Sequence, residues 1–472
     1  MCYNYCNMKK QNILRILIFF SILFSAKTVF ADTLATSTDP ASTANTNLSQ
    51  VLGLQMPPAP ALIQEIKNAK TQLQNVKLNY DIKPVYKKNK TGKTVISSYR
   101  LNAKDIALAI LDPADGRVKV AMGMQSGKTM KFQDPNFNIK LTRFNGVNSS
   151  FQINQPAGGS VLALKYLITG AETGSRKKIL DAMHESIYVP FSSSINSPDI
   201  AAYGQNYLNG VINKVVQDLK YIPSQAIPGK QIVEAIPPAM IKALIYAEHS
   251  DAGTVLNGNP QDAMDKLNIL FATNEGDTYK YSVSSAGARG IAQFMPATYG
   301  SLVQRHPEAG LMPDFVAGMS DHVNAIKAMY LLIDDYAGTV RTKAATGFAE
   351  GRVFDYGAAS YNGGTTRVYK AVNNFGNSWN EDKSGQLSAI QAQVNSLNSQ
   401  IKSLKKKISA AKDSKTKKSL QASFSNLQSQ HNTATNDLAI LKSSTLRQET
   451  VNYLKKIYKV IHIFNAEQLA MK

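Results

Sequence analysis

After residue 6 the chain has no cysteine. Cys2 and Cys6 stand at its start, so the remaining residues can form neither a disulfide among themselves nor a thiolate zinc site. Long hydrophobic runs are missing as well. The most apolar stretch, "ILIFFSILFSA" at 16–26, falls short of the about 20 residues a membrane-crossing helix needs, and no stable transmembrane anchor is expected. Acidic residues are scarce: 33 Asp and Glu face 53 Lys and Arg, for a formal charge of +20. The six histidines are scattered, and "HES" at 184–186 lacks the second His of a zinc helix. No metal and no cofactor are expected.

The start of the chain follows the pattern of a secretory signal peptide. Lys9, Lys10 and Arg15 precede the apolar run, and Val29 and Ala31 place small residues before Asp32. Cleavage near Ala31 removes both cysteines and lowers the charge by Lys9, Lys10, Arg15 and Lys27, from +20 to +16. An exported chain of that charge, in the periplasm or cell envelope, meets anionic polymers and lipid surfaces; nucleic acid is not an expected partner. Residues 32–50 are rich in Ser, Thr and Ala and read as a flexible linker.

Residues 51–225 read as a mixed α/β domain. A helix is expected over 61–78. "DIALAILD" and "RVKVAMGM" alternate around "PADG" as a hairpin, with Ile106, Leu108 and Ile110 on one face and Val118, Val120 and Met122 repeating the pattern. Further strands are expected to about 165, and helices over 176–188 and 199–221. "PSQAIPG" at 223–229 marks a boundary, and residues 230–472 read as a second, mainly helical domain. Within it a helix from Asp321 buries Ile326, Met329, Tyr330, Ile333 and Tyr336 and is expected to end near Gly338. Residues 384–445 interrupt this domain. Leu387, Ile390, Val394, Leu397, Ile401, Leu404 and Ile408 form a heptad seam, which Leu420, Phe424, Leu427, Leu438 and Leu441 resume, as in an antiparallel helical hairpin. Nine lysines against Asp413 and Asp437 give this insertion +7, which suits either a solvated spacer or a contact with an anionic surface or partner.

"ALIYAEHSDAG" at 243–253 places an acid at the end of an apolar run. Pro237 and Pro238 suit a first helical turn, Ile241, Leu244 and Ile245 mark a buried stripe, and Glu248 falls on that stripe. Loss of hydration and the negative end of the helix dipole both raise a carboxyl's pKa there, giving a proton donor near neutral pH; a frayed helix end with Glu248 in solvent is the alternative. The adjacent His249, Ser250 and Asp251 have triad types, but neighbours in sequence cannot converge on one reacting atom.

Three further pieces carry chemistry. "SSAGARGIAQFMPATYG" at 284–300 has Gly287 and Gly290 for close backbone approach, the amide of Gln293 and the adaptable Met295, a pair suited to an N-acetyl sugar. "AASYNGGTTRVYKAV" at 358–372 offers Tyr361 and Asn362 in a Gly-rich turn. "RQETVNYLKKIYKVI" at 447–461 sets Glu449 and Tyr453 four apart on one helical face.

In this order the four pieces resemble the motifs of the soluble lytic transglycosylase family: a catalytic Glu; a Gly-Ala-x-Gly-x-x-Gln-x-Met-Pro-x-Thr segment; Ala-Tyr-Asn; and Glu-Thr-x-x-Tyr-Val-x-Lys. The matching positions are Glu248; Gly287 to Thr298 with Gln293, Met295 and Pro296; Tyr361 and Asn362; and Glu449, Thr450, Tyr453 and Lys456. The likeness covers roughly 235–376 and 445–465. His249 stands where the family has Ser, with Ser250 one place later; Ser360 replaces an Ala and Leu454 a Val; and 253–281 is an insertion expected to cover the cleft as a lid.

The resemblance implies an α+β protein with a mainly α-helical lysozyme-like catalytic domain, broken by the coiled-coil hairpin and preceded by the separate mixed α/β domain. It implies non-hydrolytic cleavage of peptidoglycan glycan strands between N-acetylmuramic acid and N-acetylglucosamine. Glu248 is the acid and then the base, and Gln293, Met295, Tyr361, Asn362, Glu449 and Tyr453 line the sugar sites. Envelope, secretion or conjugation machinery is a further expected partner of the hairpin. Two other readings stay open: a muramidase like the goose-type lysozymes, with water as acceptor, and a non-enzymatic envelope scaffold.

Overall fold

The computed structural model describes residues 58–170, 173–344 and 347–470. The expected leader and linker, with Cys2 and Cys6, lie outside them. The protein is α+β, with its sheet in the amino-terminal region. Among the described residues no helix is long and apolar enough to cross a membrane.

Contacts divide the chain into two units: the chain up to Lys214 with Asp265–Ile326, and Val215–Met264 with Lys327–Lys472. This division differs from the expected boundary near 225–230, because residues 265–326 group with the amino-terminal part. Ile269 and Ala272 are buried in one cluster with Ile63, Leu73, Leu162 and Ala163. Apolar surface removed from water stabilises by about 25 cal/mol per Å2, and that shared burial decides the grouping.

In the first unit, helix α1 (Ala61–Gln74) buries the stripe Ile63, Ile66, Ala69 and Leu73 and stops short of residue 78, where Asn75 takes the cap. Strands β1 (Tyr80–Lys88), β2 (Thr94–Asp112), β3 (Arg117–Ser126), β4 (Thr129–Phe132), β5 (Asn138–Arg143), β6 (Ser150–Gln155), β7 (Ser160–Thr169) and β8 (Thr173–Gly174) follow. Helix α2 (Arg176–Asp181), β9 (Met183–Tyr188) and helix α3 (Pro198–Leu219) come next. The main sheet is antiparallel in the order β4-β3-β2-β7-β9, with β1 and β8 also on β2, while β5 and β6 form a separate pair.

The expected hairpin is β2–β3, closed at Asp112 and Arg117. Its alternation fails at the centre: Ile106 through Ile110 are all buried, as suits a middle strand covered on both faces. The core reaches Val118 and Val120 but leaves Met122 exposed. The helix expected over 176–188 is half strand, since β9 pairs with β7 from Leu164 and Tyr188 to Thr169 and Met183. A partnered, half-buried ladder overrides the local pattern there.

Downstream the chain is helical: α4 (Ile232–Ala235), α5 (Pro238–His249), α6 (Ala252–Asn257), α7 (Pro260–Asn274), α8 (Pro296–Arg305), α9 (Phe315–Ser320), α10 (His322–Lys343), α11 (Val353–Gly363), α12 (Thr365–Phe375), α13 (Ser384–Ala410), α14 (Ser414–Ser444) and α15 (Gln448–Ala470). The segment expected as a lid contains α7, whose Ile269 and Ala272 are core of the first unit. That part of it is packed interior and does not form a cover. Helix α10 runs through Gly338 to Lys343. A Cβ at Gly338 would lie 3.0 Å from the Gln225 carbonyl oxygen, so this glycine permits a close approach where a helix end was expected.

Helices α13 and α14 form the hairpin. Val394 and Leu397 pack on Ala434 and Leu438, Lys442 donates to Gln391 across the pair (2.8 Å), and Asp413 caps α14 through the Thr416 N–H (2.7 Å). The gap in the second half of the seam is where Ala434 sits, beside His431, whose ring nitrogens are both buried without a hydrogen-bond partner.

Candidate active site

Helix α5 opens at Pro237 and Pro238, whose fixed φ suits a first turn and whose missing N–H costs nothing there. Every residue from Ile241 to Ala247 is buried, including Lys242, whose ammonium sits 4.6 Å from the centre of the Phe464 ring. The apolar surface is thus wider than the stripe read from spacing. Burying each Leu or Ile contributes roughly 1.5–3 kcal/mol, enough to hold the helix however its last turn is composed. That last turn carries Glu248, which is half-buried.

The other wall is α15. Tyr453 donates its hydroxyl proton to Glu248 Oε1. One turn later Lys456 donates to the carbonyls of Ala247 (2.5 Å) and Ser250 (2.7 Å), taking up acceptors that a helix end leaves without N–H partners. Tyr246 and Phe464 pack with ring centres 5.8 Å apart and planes tilted by 60° farther along. Ser250, two residues after the acid, donates to the Tyr246 carbonyl (2.6 Å) and so bonds back to its own helix.

The end of α11 joins the same cluster. Thr450 donates to Asn362 Oδ1 at 2.9 Å, and a Cβ at Gly363 would lie 2.5 Å from Thr450 Oγ1, so the Asn-Gly turn seats directly against α15. Tyr361, just before it, feels the charge of Glu248.

Burial pushes the Glu248 carboxyl above the usual carboxylate range. The Tyr453 hydrogen bond and the Lys456 charge oppose that shift, and the Glu449 charge adds to it. Burial, then the Glu248 charge, keeps Tyr361 and Tyr453 protonated far above the ordinary phenol range. Burial pulls Lys456 down, against the charges of Glu248 and Asp251. Among the described residues Glu248 Oε2 accepts no hydrogen bond. The arrangement is a carboxyl that holds its proton more tightly than an exposed one, steadied on one oxygen and open on the other, which can give a proton and take one back.

Of the residues expected from sequence, Glu248, Tyr361, Asn362 and Tyr453 come together in the second unit. Glu449 lies one turn before Tyr453 but is exposed, and partial loss of hydration raises its carboxyl while Arg447 opposes. Gln293 and Met295 belong to the first unit. Gln293 takes a left-handed backbone, φ 49°, and its amide donates to the Gly290 carbonyl (2.7 Å) and Ser282 Oγ (3.3 Å); Met295 is exposed at the start of α8. The close approach expected of Gly290 is made to the chain itself, since a Cβ there would lie 2.1 Å from the Met319 carbonyl oxygen.

Sequence reasoning missed a groove of about 500 Å3 lined by Leu256, Asn257, Asn452, Lys455, Tyr458 and Lys459. Its signal was present in α15, where Asn452, Lys455 and Lys459 recur at helical spacing beside the buried face of Tyr453 and Lys456. It also missed Asp334, a second buried carboxyl in this unit. Asp334 Oδ1 accepts from Ser224 Oγ (2.5 Å) and the Ala226 N–H (3.3 Å), and Oδ2 from the Gln225 N–H. Among the described residues no group of three or more His, Cys, Asp or Glu side chains is placed to hold a metal. Scans against protein-family models, curated proteins and solved structures find no match to this chain.

Proposed function

We propose that the protein is a peptidoglycan lytic transglycosylase with a lysozyme-like catalytic domain, the activity implied by the motifs it shares with soluble lytic transglycosylases. It would act in the periplasm or cell envelope, with the hairpin as its contact to envelope, secretion or conjugation machinery. The observation that carries the reading is the Glu248 carboxyl: half-buried, raised by loss of hydration, held on one oxygen by Tyr453 and open on the other.

In this reading the neutral acid gives its proton, from Oε2, to the oxygen joining muramoyl C1 to N-acetylglucosamine. The C1–O bond breaks and the glucosamine leaves as an alcohol. The acetamido oxygen of the muramoyl residue carries the positive charge at C1. Glu248, now a carboxylate braced by Tyr453, removes the proton of the 6-hydroxyl as O6 bonds to C1. The 1,6-anhydro ring closes, Glu248 is neutral again and no water is consumed. One carboxyl serves both steps, so no second acid is required, in contrast to the two-carboxylate glycosidases.

The test is digestion of purified peptidoglycan with mass analysis of the products. Wild-type protein should release 1,6-anhydromuropeptides, and Glu248→Gln should lose at least about a hundredfold in rate while keeping its fold. Products heavier by one water would replace the lyase with a muramidase. Release by Glu248→Gln near the wild-type rate would remove the assignment, and no release by either protein would favour a scaffold.

A further inference from the structure

The charge of the hairpin is gathered at one end. Residues 402–418, the last turns of α13, the connecting turn and the first turns of α14, carry eight lysines and one acid, Asp413; every one of these lysines is exposed. The rest of 384–444 has Asp437 and Lys442 and no other Lys, Arg, Asp or Glu, so its formal charge is zero. Helix α13 has 27 residues. At about 1.5 Å per residue it carries this cluster roughly 40 Å from where the hairpin begins.

Helix stability does not explain the cluster. Lys405, Lys406 and Lys407 suit the negative end of α13, but Lys415, Lys417 and Lys418 occupy the first turns of α14, where the helix dipole disfavours cations. Lys402 with Lys405 and Lys406, and Lys415 with Lys418, add like charges at neighbouring helical positions, which is also unfavourable. The one local acid is already the α14 cap. The seam that joins the helices is apolar and lies nearer the base. The tip therefore holds a cost that the hairpin itself does not recover.

We infer that the lysine-tipped end of the hairpin docks on an anionic phospholipid surface. The chemistry of the tip selects that occupant. All its cations are ammonium groups, point charges that suit a diffuse layer of headgroup phosphates; there is no Arg in the hairpin for two-pronged binding of individual phosphates. It has no exposed ring for stacking bases, because Phe424 is half-buried with the Lys405 ammonium 5.5 Å from its centre. It exposes no large apolar side chain, so it rests on the headgroups without inserting. This inference stands apart from the enzymatic reading and is tested without it.

The full chain is sedimented with vesicles of phosphatidylcholine alone and of phosphatidylcholine with phosphatidylglycerol, at low and high salt. One variant carries Lys406→Gln, Lys407→Gln, Lys412→Gln and Lys418→Gln. A second combines those changes with Gln386→Lys, Gln393→Lys, Ser429→Lys and Asn436→Lys, which return the net charge at exposed positions toward the base. Circular dichroism checks that both keep their helices. The expected result is salt-sensitive binding to anionic vesicles only, weakened at least about a hundredfold in both variants. Equal binding by the charge-restored variant would overturn docking through the tip. Absence of binding to anionic vesicles at low salt, or a soluble polyphosphate bound more tightly than the vesicles, would overturn the lipid surface as its partner.

Discussion

Asp334 and Glu248 are carboxyls on two buried helices of the same unit, and burial pushes both above the usual carboxylate range. Their surroundings divide them. Around Asp334 three donors converge, from Ser224, Gln225 and Ala226, and both oxygens are occupied in holding the 224–226 turn. Around Glu248 a single phenol touches one oxygen. A carboxyl saturated with donors has finished its task on folding, whereas one left open has capacity for a further proton partner. Burial alone does not distinguish the two carboxyls; the count of donors already committed does.

The largest effect that would break this comparison lies in stability. Asp334→Asn sets an amide NH2 where donors converge and should cost about 2–3 kcal/mol, read as a lower denaturation midpoint, with cleavage by the folded fraction unchanged. Glu248→Gln should do the reverse. The folded Glu248 binds its proton more tightly than the unfolded chain does, so wild-type stability falls as pH rises from the ordinary Glu range through the raised folded value. The Gln variant escapes that loss. It should match wild type below the window and exceed it above, by roughly 1.4 kcal/mol for each pH unit the window spans. Thermal melts across pH check the sign, and equal melts at all pH would remove the distinction drawn for Glu248.

A smaller effect sharpens the Glu248 side. Tyr453→Phe removes the hydrogen bond that lowers the Glu248 pKa, so the alkaline limb of the pH–rate profile should move to higher pH. The rate should fall by about tenfold, the loss of one charge-assisted hydrogen bond. A lower rate with an unmoved limb would mean that Tyr453 only packs. Smallest of all, Glu449→Gln at its exposed position should cost only a few-fold in rate, on the order of 1 kcal/mol or less, and leave the limb nearly in place; a loss as deep as that of Glu248→Gln would make it a second acid.

The pairing of Pro237 and Pro238 with an apolar run was enough to place Glu248 on a helix, whereas the return of the chain to it after the hairpin was expected only from the resemblance at Glu449, Thr450, Tyr453 and Lys456 to a family motif. Both are local patterns. Asp334 stayed hidden for the opposite reason: α10 was read as one buried face, yet Leu331, Leu332 and Asp334 are buried on its other sides. A helix enclosed all round has no periodicity to report a polar residue inside it. The grouping of 265–326 with the first unit was equally silent, because Ile269 and Ala272 owe their place to partners some two hundred residues earlier. Strand β9 was lost to a helical reading since only its ladder with β7 distinguishes it.

The tie between α5 and α15 also sets an order in time. The chain is made from its amino end, so Glu248 leaves the ribosome about two hundred residues before Tyr453 and Lys456. Until that last helix arrives, the acid has no phenol to hold it, and the carbonyls of Ala247 and Ser250 have no ammonium to cap them. A chain that lacks this helix therefore presents Glu248 without its hydrogen-bond donor and the end of α5 without its ammonium cap, whatever else has already folded.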